Sequence, residues 1–399
     1  MRVMYVCHRV PFPPKRGGKI RPFNMIRHLS EGGHDVTVAS LARNSRELDD
    51  AQGLSAHCDN TLIEVISDAS AWPRMLAYVP TLRPSSFAYF HSPRLARRID
   101  AELAAKPYDL IIVHCSSVAP YVAKVTGPAK ILDYGDVDSQ KWREYAKHRQ
   151  LPLSRAYWLE AVKLERVEQR LSRHFDLVTC TTRAELESLR DLGVTGQSDW
   201  FPNGVDAEFF SPGREPYDAN KIAFVGRMDY FPNQQAVQWF CAHVWSKLRQ
   251  HRPSLQFLIV GADPTASIRE LATMPGVTVT GSVADVRPYV QSAALTVAPL
   301  TIARGTQNKI LESMAMATPV VSSSAAIGGV DAVAGEHLLV ANTVAEWFGA
   351  IIGLLDSPKK RDDLAKSARA RVLSHHSWKA SMARLDTLIT KALQQKRLH

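Results

Sequence analysis

The residues whose types and spacing best fit chemistry lie in one run, Arg304-Gly-Thr-Gln-Asn-Lys-Ile-Leu-Glu312-Ser-Met-Ala-Met-Ala-Thr-Pro319. Thr306 reads as the N-cap of a helix, introduced by Gly305. A capping box would place Glu or Gln three residues on, but the chain places Lys309 there. A lysine in the first turn opposes the helix dipole at a cost of about 0.3–1 kcal/mol. Arg304 stands just outside the same helix end. Two cations at the positive end of a helix make sense if an anion binds there, and backbone N–H groups already favour phosphate at such a place. A solvated Lys309–Glu312 pair across one turn would leave Arg304 and Gly305 unexplained. Glu312 is placed to accept hydrogen bonds from a sugar diol. Met314 and Met316 read as core.

A second set of residues follows apolar runs that read as strands. Gly226-Arg227 ends one such run. Glycine lets a ligand approach the backbone, and the arginine fork suits phosphate, so Arg227 and Lys309 together would neutralise a diphosphate. Gly261-Ala-Asp263 and Gly281-Ser282 end the next two runs. Near the start, Cys7-His8 is followed by Gly17-Gly18, Lys19 and Arg21. A glycine pair opening a helix after a strand again permits close approach, although neither a Gly-x-Gly-x-x-Gly fingerprint nor a P-loop is present. His114 ends another run; an imidazole there either holds a substrate hydroxyl or is an ordinary structural histidine. Asp133-Tyr-Gly-Asp136-Val-Asp138 contains an Asp-x-Asp that hard cations favour. Its context is equally that of a turn followed by a helix cap, so acceptor contacts or capping are expected of Asp136 and Asp138, and no metal.

The elements that must position these groups alternate between strand and helix. Apolar runs at Val3–Cys7, Val36–Ala39, Leu62–Ile66, Leu110–His114, Ile131–Asp133 and Leu177–Cys180 form one set. Ile222–Val225, Phe257–Val260, Val277–Val279, Leu295–Ala298, Val320–Ser322 and Leu338–Val340 form a second. Between them Phe23, Ile26 and Leu29, and Leu159 through Leu171, recur at helical spacing. Such alternation predicts an α/β protein with two doubly wound parallel sheets covered by helices. The expected divisions are 1–205, 206–376 and a C-terminal helical segment 377–399 that is free to cross back to the first domain. Ligands of open α/β sheets bind beyond the carboxyl ends of the strands, where the candidate residues stand.

With 399 residues the chain exceeds one ordinary core. No apolar run reaches the roughly 18 residues needed to span a bilayer, and no signal peptide is read at the N-terminus. Cytoplasmic residence is therefore expected. The cysteines Cys7, Cys58, Cys115, Cys180 and Cys241 are odd in number and scattered, and read as reduced buried thiols. The formal net charge is +10. Basic residues mingle with Trp142, Tyr145, Tyr157 and Trp158 between Lys141 and Arg173. No nucleic-acid-binding motif accompanies them, so nucleic acid is excluded as a partner and peripheral contact with an anionic membrane is expected.

Taken in order, Gly17-Gly18 with Arg21, Gly32-Gly33-His34-Asp-Val-Thr-Val, Asn203-Gly-Val-Asp206, Gly226-Arg227 and the Glu312 to Val321 block resemble the retaining glycosyltransferases of family four, which have the GT-B fold. The resemblance covers nearly the whole chain. Residues 304–321 further resemble sugar transferases associated with exopolysaccharide and exosortase (PEP-CTERM) systems. The resemblance implies two Rossmann-like domains facing across a cleft. It also implies transfer of a sugar from a nucleotide diphosphate sugar to a hydroxyl of a glycan or lipid-linked acceptor, without a metal or other cofactor.

By the same resemblance Arg227 and Lys309 hold the diphosphate and Glu312 the ribose. Gly226, Arg304, Gly305, Thr306, Gly17 and Gly18 line the donor, His114 meets the transferred sugar, and Arg21, Asp136 and Asp138 face the acceptor. Two departures stand out. Arg304 replaces the family's first glutamate, and Asn233 and Gln234 occupy the region of its usual lysine. An epimerase or hydrolase of the same fold, and a non-catalytic nucleotide-sugar binder, are the rival readings.

Overall fold

The computed structural model describes residues 1–14, 17–194, 196–303 and 305–398. The chain forms two compact units, Met1–Pro202 with Ser381–His399, and Asn203–Ala380.

The first unit is built on seven strands, β1 (Arg2–Cys7), β2 (Asp35–Ala42), β3 (Asn60–Val65), β4 (Leu110–His114), β5 (Ala129–Asp133), β6 (Leu177–Cys180) and β7 (Ser198–Trp200). They pair in parallel in the order β3-β2-β1-β4-β5-β6-β7. β1 and β4 are buried almost end to end, as strands covered by helices on both faces must be. The last strand is absent from the apolar runs of the sequence. Its three residues, Ser-Asp-Trp, are all half-buried, so an edge position leaves no hydrophobic signal to read.

The second unit holds β8 (Asp218–Val225), β9 (Gln256–Val260), β10 (Val277–Gly281), β11 (Ala293–Ala298), β12 (Val320–Ser322) and β13 (Leu339–Val340). They are again all parallel, in the order β10-β9-β8-β11-β12-β13. Its core gathers Phe224, Phe240, Trp245, Phe257 and Trp347. Both strand orders reverse beside the first strand of the sheet, the switch point at which open α/β sheets bind ligands.

The final helix, Trp378–Leu398, leaves the second unit and packs on the first. Ser381 Oγ bonds the Pro202 carbonyl, His28 Nε2 lies 2.8 Å from Asp386 Oδ1, and the Arg384 guanidinium sits 4.3 Å from the Trp200 ring centre. Within the second unit, Val205 N donates to His376 O over 2.8 Å, and a Cβ on Gly204 would stand 2.6 Å from the Trp378 backbone. Only glycine fits there.

All five cysteines are free, and Cys7, Cys58, Cys180 and Cys241 are buried. Among the described residues no helix is long and apolar enough to cross a membrane.

Candidate functional site

In the second unit the candidates gather where β8 and β11 end. Gly226 follows β8 and is pressed against the next strand's exit. Its amide donates to Val260 O at 2.9 Å, and a Cβ on Gly261 would stand 1.8 Å from the Gly226 carbonyl oxygen. A Cβ on Gly226 itself would meet Asn233 Nδ2 at 2.6 Å and Lys309 Nζ at 3.1 Å. The lysine therefore lies directly against this backbone although 82 residues separate the two in sequence.

Lys309 does not form the solvated pair with Glu312 that helix spacing permits. Its ammonium donates to Asn233 Oδ1 and stands 4.5 Å from the centre of the Phe224 ring. Asn233 in turn donates to the Arg227 carbonyl at 2.8 Å. This asparagine fastens the Gly226-Arg227 loop to Lys309. Sequence reasoning noted it only as the replacement of a family lysine. An amide followed by Gln234, which caps Met228 O at 2.8 Å, is the local signal that both side chains serve the loop.

Burial pushes the Lys309 amine down to about 7, with Glu312 opposing the shift. Burial likewise pushes the Glu312 carboxyl up to about 7, with Lys309 opposing it. Both groups are thus poised to change charge when an anion or a diol arrives.

The helix that carries them runs Asn308–Ala315 with Gln307 at the N-cap and no side-chain cap bond. This corrects the N-cap assigned to Thr306. Gln307 takes the position because the turn begins one residue later, which places Lys309 at the second helical residue. Thr306 Oγ1 and Asn308 Oδ1 are buried without a hydrogen-bond partner, an arrangement that costs free energy unless a ligand or solvent group completes it. Gly305 has φ 63°, and a Cβ on Gly329 would sit 1.9 Å from its carbonyl oxygen, so the two loops touch through backbone alone. Arg304 lies outside the described residues.

Arg227 departs from the free cation expected. Its Nε and Nη2 donate to Asp229 at 3.0 and 2.7 Å, and Nη2 also meets Asp263. These bonds raise its pKa further. A ligand phosphate at this corner would have to share or displace a carboxylate.

In the first unit β4 and β5 end side by side, with His114 opposite Asp133. His114 Nδ1 lies 2.7 Å from Asp133 Oδ2. The same carboxylate takes two 2.9 Å bonds from Arg21 Nε and Nη2, and a third from Thr179 Oγ1 at 2.9 Å. Asp133 is fully buried, yet the Arg21 guanidinium and the bonds of His114 hold its pKa well below the usual carboxylate range against the desolvation. Arg21 is itself 2% exposed, stacked 3.6 Å over Phe201 and bonded to the Phe201 carbonyl at 2.9 Å. This corrects its assignment to the acceptor. A saturated, buried guanidinium cannot greet a ligand, and its work is to fix Asp133 and through it His114. The signal was present, since an aspartate ending a buried strand requires a buried cation, but the sequence does not say which one.

His114 is 6% exposed, and its outer edge faces Gly135, whose Cβ would come within 3.2 Å of Cε1. His8, one residue beyond β1, stands 5.9 Å away ring to ring, packs edge-on against Phe90, and is held neutral by burial.

Gly17 and Gly18 open the helix Gly17–Glu31 and are exposed; a Cβ on Gly18 would meet nothing within 4 Å. Asp136 accepts from Thr181 Oγ1 at 3.1 Å. Asp138 is the first residue of the helix Asp138–Lys147, behind the N-cap Val137, and accepts from Ser116 Oγ at 3.4 Å. Burial, then Asp136, raise its pKa against the charge of Lys141. Of acceptor contacts or capping, the structure shows hydrogen bonds accepted from neighbouring hydroxyls by both aspartates, with Val137 as the N-cap.

Residues 16–209 match the family model described as Glycosyltransferase Family 4, and residues 219–357 the model described as Glycosyl transferases group 1. No curated protein matches the chain. Among solved structures, sucrose-phosphate synthase from Thermosynechococcus elongatus is 18% identical, with 98% of this chain and 99% of that one covered and a TM-score of 0.73. HepE from Anabaena in complex with UDP is 15% identical over 98% and 100% of the two chains, with a TM-score of 0.69. A mutant of TarM from S. aureus, in a complex with fondaparinux, α-GlcNAc-glycerol and UDP, is 9% identical over 97% and 99%, with a TM-score of 0.68.

Proposed function

We propose, from the premise that the chain is a glycosyltransferase of the GT-B fold with a family-four-type first half and a group-one-type second half, that it moves a sugar from a nucleotide diphosphate sugar to a hydroxyl. The observation that carries this reading is the Lys309 ammonium lying against the Gly226 backbone at the start of the Asn308–Ala315 helix. Beside it the oxygens of Thr306 and Asn308 are without partners. A diphosphate seated there receives the lysine charge, the helix N–H groups and the Thr306 hydroxyl together. Glu312, one turn further, accepts the ribose hydroxyls. In the first unit, Gly17 and Gly18 leave the start of their own helix open to an anion.

The leaving diphosphate gains charge as the glycosidic bond breaks, so cations fixed in advance stabilise the transition state more than the ground state. Lys309 provides that charge, with Arg227 joining it once a phosphate competes with Asp229 and Asp263. His114, fixed by Asp133, holds a hydroxyl of the transferred sugar. Asp136 and Asp138 line the acceptor side. We take the reaction to proceed with retention and without a metal ion, with the donor phosphate accepting the proton of the attacking hydroxyl.

The UDP complexes of HepE and TarM favour a uridine nucleotide as the first donor to test. The basic, aromatic first unit favours a lipid-linked acceptor of exopolysaccharide assembly at the cytoplasmic membrane face. The test is a thermal-shift screen with UDP-, GDP-, ADP- and TDP-sugars, since a ligand of the native state raises its apparent stability, followed by transfer assays with and without chelator. The reading expects one nucleotide series to stabilise the protein and turnover to survive chelation. Absence of any shift across the panel, or turnover that stops with chelator and returns with manganese, would contradict it.

A further inference from the structure

Of the 17 large hydrophobic side chains exposed among the described residues, eight fall in two short stretches of the first unit. One stretch is the helix Asp68–Tyr78 and its exit, where Trp72, Leu76 and Val79 recur at helical spacing and Leu82 follows, exposed by 52%, 61%, 51% and 78%. The other leads into the helix Leu153–Ser172 and exposes Leu151, Leu153, Trp158 and Leu159. Lys163 ties the two together by donating to the carbonyls of Tyr78 and Val79 at 3.1 and 2.7 Å. Glu160 adds bonds from Ser86 N and Oγ at 3.0 and 3.2 Å. The two stretches are therefore held side by side.

The charge on this surface is predominantly positive. The helix Asp68–Tyr78 and its exit carry Arg74 and Arg83 against one exposed carboxylate, Asp68, which accepts from Tyr89 Oη at 2.6 Å; residues 147–159 contain Lys147, Arg149 and Arg155 and no carboxylate. Lys147 is paired with Glu144 at 2.9 Å, and Arg83 and Arg155 are exposed. Exposed large apolar side chains that gather in one region mark interaction sites more often than singly scattered ones do. Two copies meeting through this face would bring like charges together. A basic rim around leucine and tryptophan side chains instead matches the headgroup and acyl layers of an anionic bilayer.

We infer that the surface formed by residues 72–83 and 147–159 is a docking face for anionic phospholipid, with Trp72, Leu76, Leu82 and Trp158 entering the headgroup boundary. The inference deepens the membrane-proximal part of the proposed function and rests on it for its use: a docked first unit meets an acceptor at the bilayer surface.

The test is flotation of the full chain with phosphatidylglycerol-rich vesicles and with phosphatidylcholine vesicles, for wild type, Leu76→Glu/Leu82→Glu and Arg83→Glu/Arg155→Glu. Wild type is expected to float with the anionic vesicles only, and each double variant to lose at least about tenfold in partitioning, with its unfolding midpoint and nucleotide-sugar binding unchanged. Lys309→Ala is expected to lose donor binding and still float, which separates this inference from the catalytic one. Wild type that floats with neither vesicle type or equally with both would overturn the inference, as would double variants that float like wild type. A sedimentation-detected dimer that Leu76→Glu/Leu82→Glu dissolves would assign the face to self-association and overturn it too.

Discussion

His114 Nδ1 and Asp133 Oδ2 stand 2.7 Å apart at the ends of adjacent parallel strands. The arrangement gives the imidazole one orientation. With Nδ1 donating to the carboxylate, Nε2 is the atom left for a ligand. Arg21, Thr179 and His114 share a single buried aspartate, so the histidine's position depends on an ion pair beneath it.

That ion pair sets the first prediction. Arg21→Met leaves the Asp133 carboxylate buried without its counter-charge, a loss of about 3–5 kcal/mol, read as a lower denaturant midpoint. Because the folded pKa of Asp133 is depressed, its stabilisation is present above the unfolded value and is lost as pH falls through the folded one. Wild type is therefore expected to weaken progressively below about pH 4, and Arg21→Met to show a shallower acid dependence. Equal stability of wild type and variant at pH 7 would refute the role given to Arg21.

His114 itself is expected to act on turnover and not on folding. His114→Asn should keep the free energy of unfolding within about 1 kcal/mol of wild type and lower kcat about 10–100-fold, the scale of one lost transition-state hydrogen bond. The measurement is single-turnover transfer at saturating donor. An unchanged rate would remove His114 from the sugar site.

The Lys309 amine sits near 7 in the free protein, and a bound diphosphate raises its pKa again. Below pH 7 the lysine already carries its proton. Above pH 7 binding must take one up, so affinity for a nucleotide sugar is expected to fall as pH rises, by up to about tenfold per unit. Ionisation of Glu312 over the same range works in the same direction on the phosphates. Lys309→Arg should flatten the profile, since arginine stays charged. Calorimetry from pH 6 to pH 9 reads both, and a flat wild-type profile would contradict the assignment.

Gly226→Ala adds a single carbon 3.1 Å from Lys309 Nζ and 2.6 Å from Asn233 Nδ2. The expected result is loss of donor affinity with a modest fall in stability of about 1–3 kcal/mol, because the lysine and its asparagine must move. Donor affinity equal to wild type would show that the close approach of glycine and lysine has no part in binding.

Most of the architecture was legible because parallel strands buried on both faces leave continuous apolar runs. Val3–Cys7, Leu110–His114 and Leu177–Cys180 in the sequence correspond to β1, β4 and β6. β7 escaped because Ser198, Asp199 and Trp200 form an edge that carries no apolar run. Lys309 and Glu312 were expected on one helix, and the helix Asn308–Ala315 carries both. The cap was misplaced by one residue because Thr306 is the better capping residue type, while the backbone starts its turn at Gln307. The partners were not legible. Asn233 beside Lys309, Asp263 beside Arg227 and Arg21 beneath His114 are brought together by tertiary folding across dozens of residues, and no local spacing encodes them.

The central claim is that the diphosphate of a nucleotide sugar is held where the Asn308–Ala315 helix begins, with Lys309 as its principal cation. Its most direct test is isothermal titration of wild type and Lys309→Met with matched nucleoside mono- and diphosphates. The account predicts that wild type binds a diphosphate more tightly than the monophosphate, and that the variant, with an unchanged unfolding midpoint, loses that preference. A variant that keeps the full preference would contradict the account.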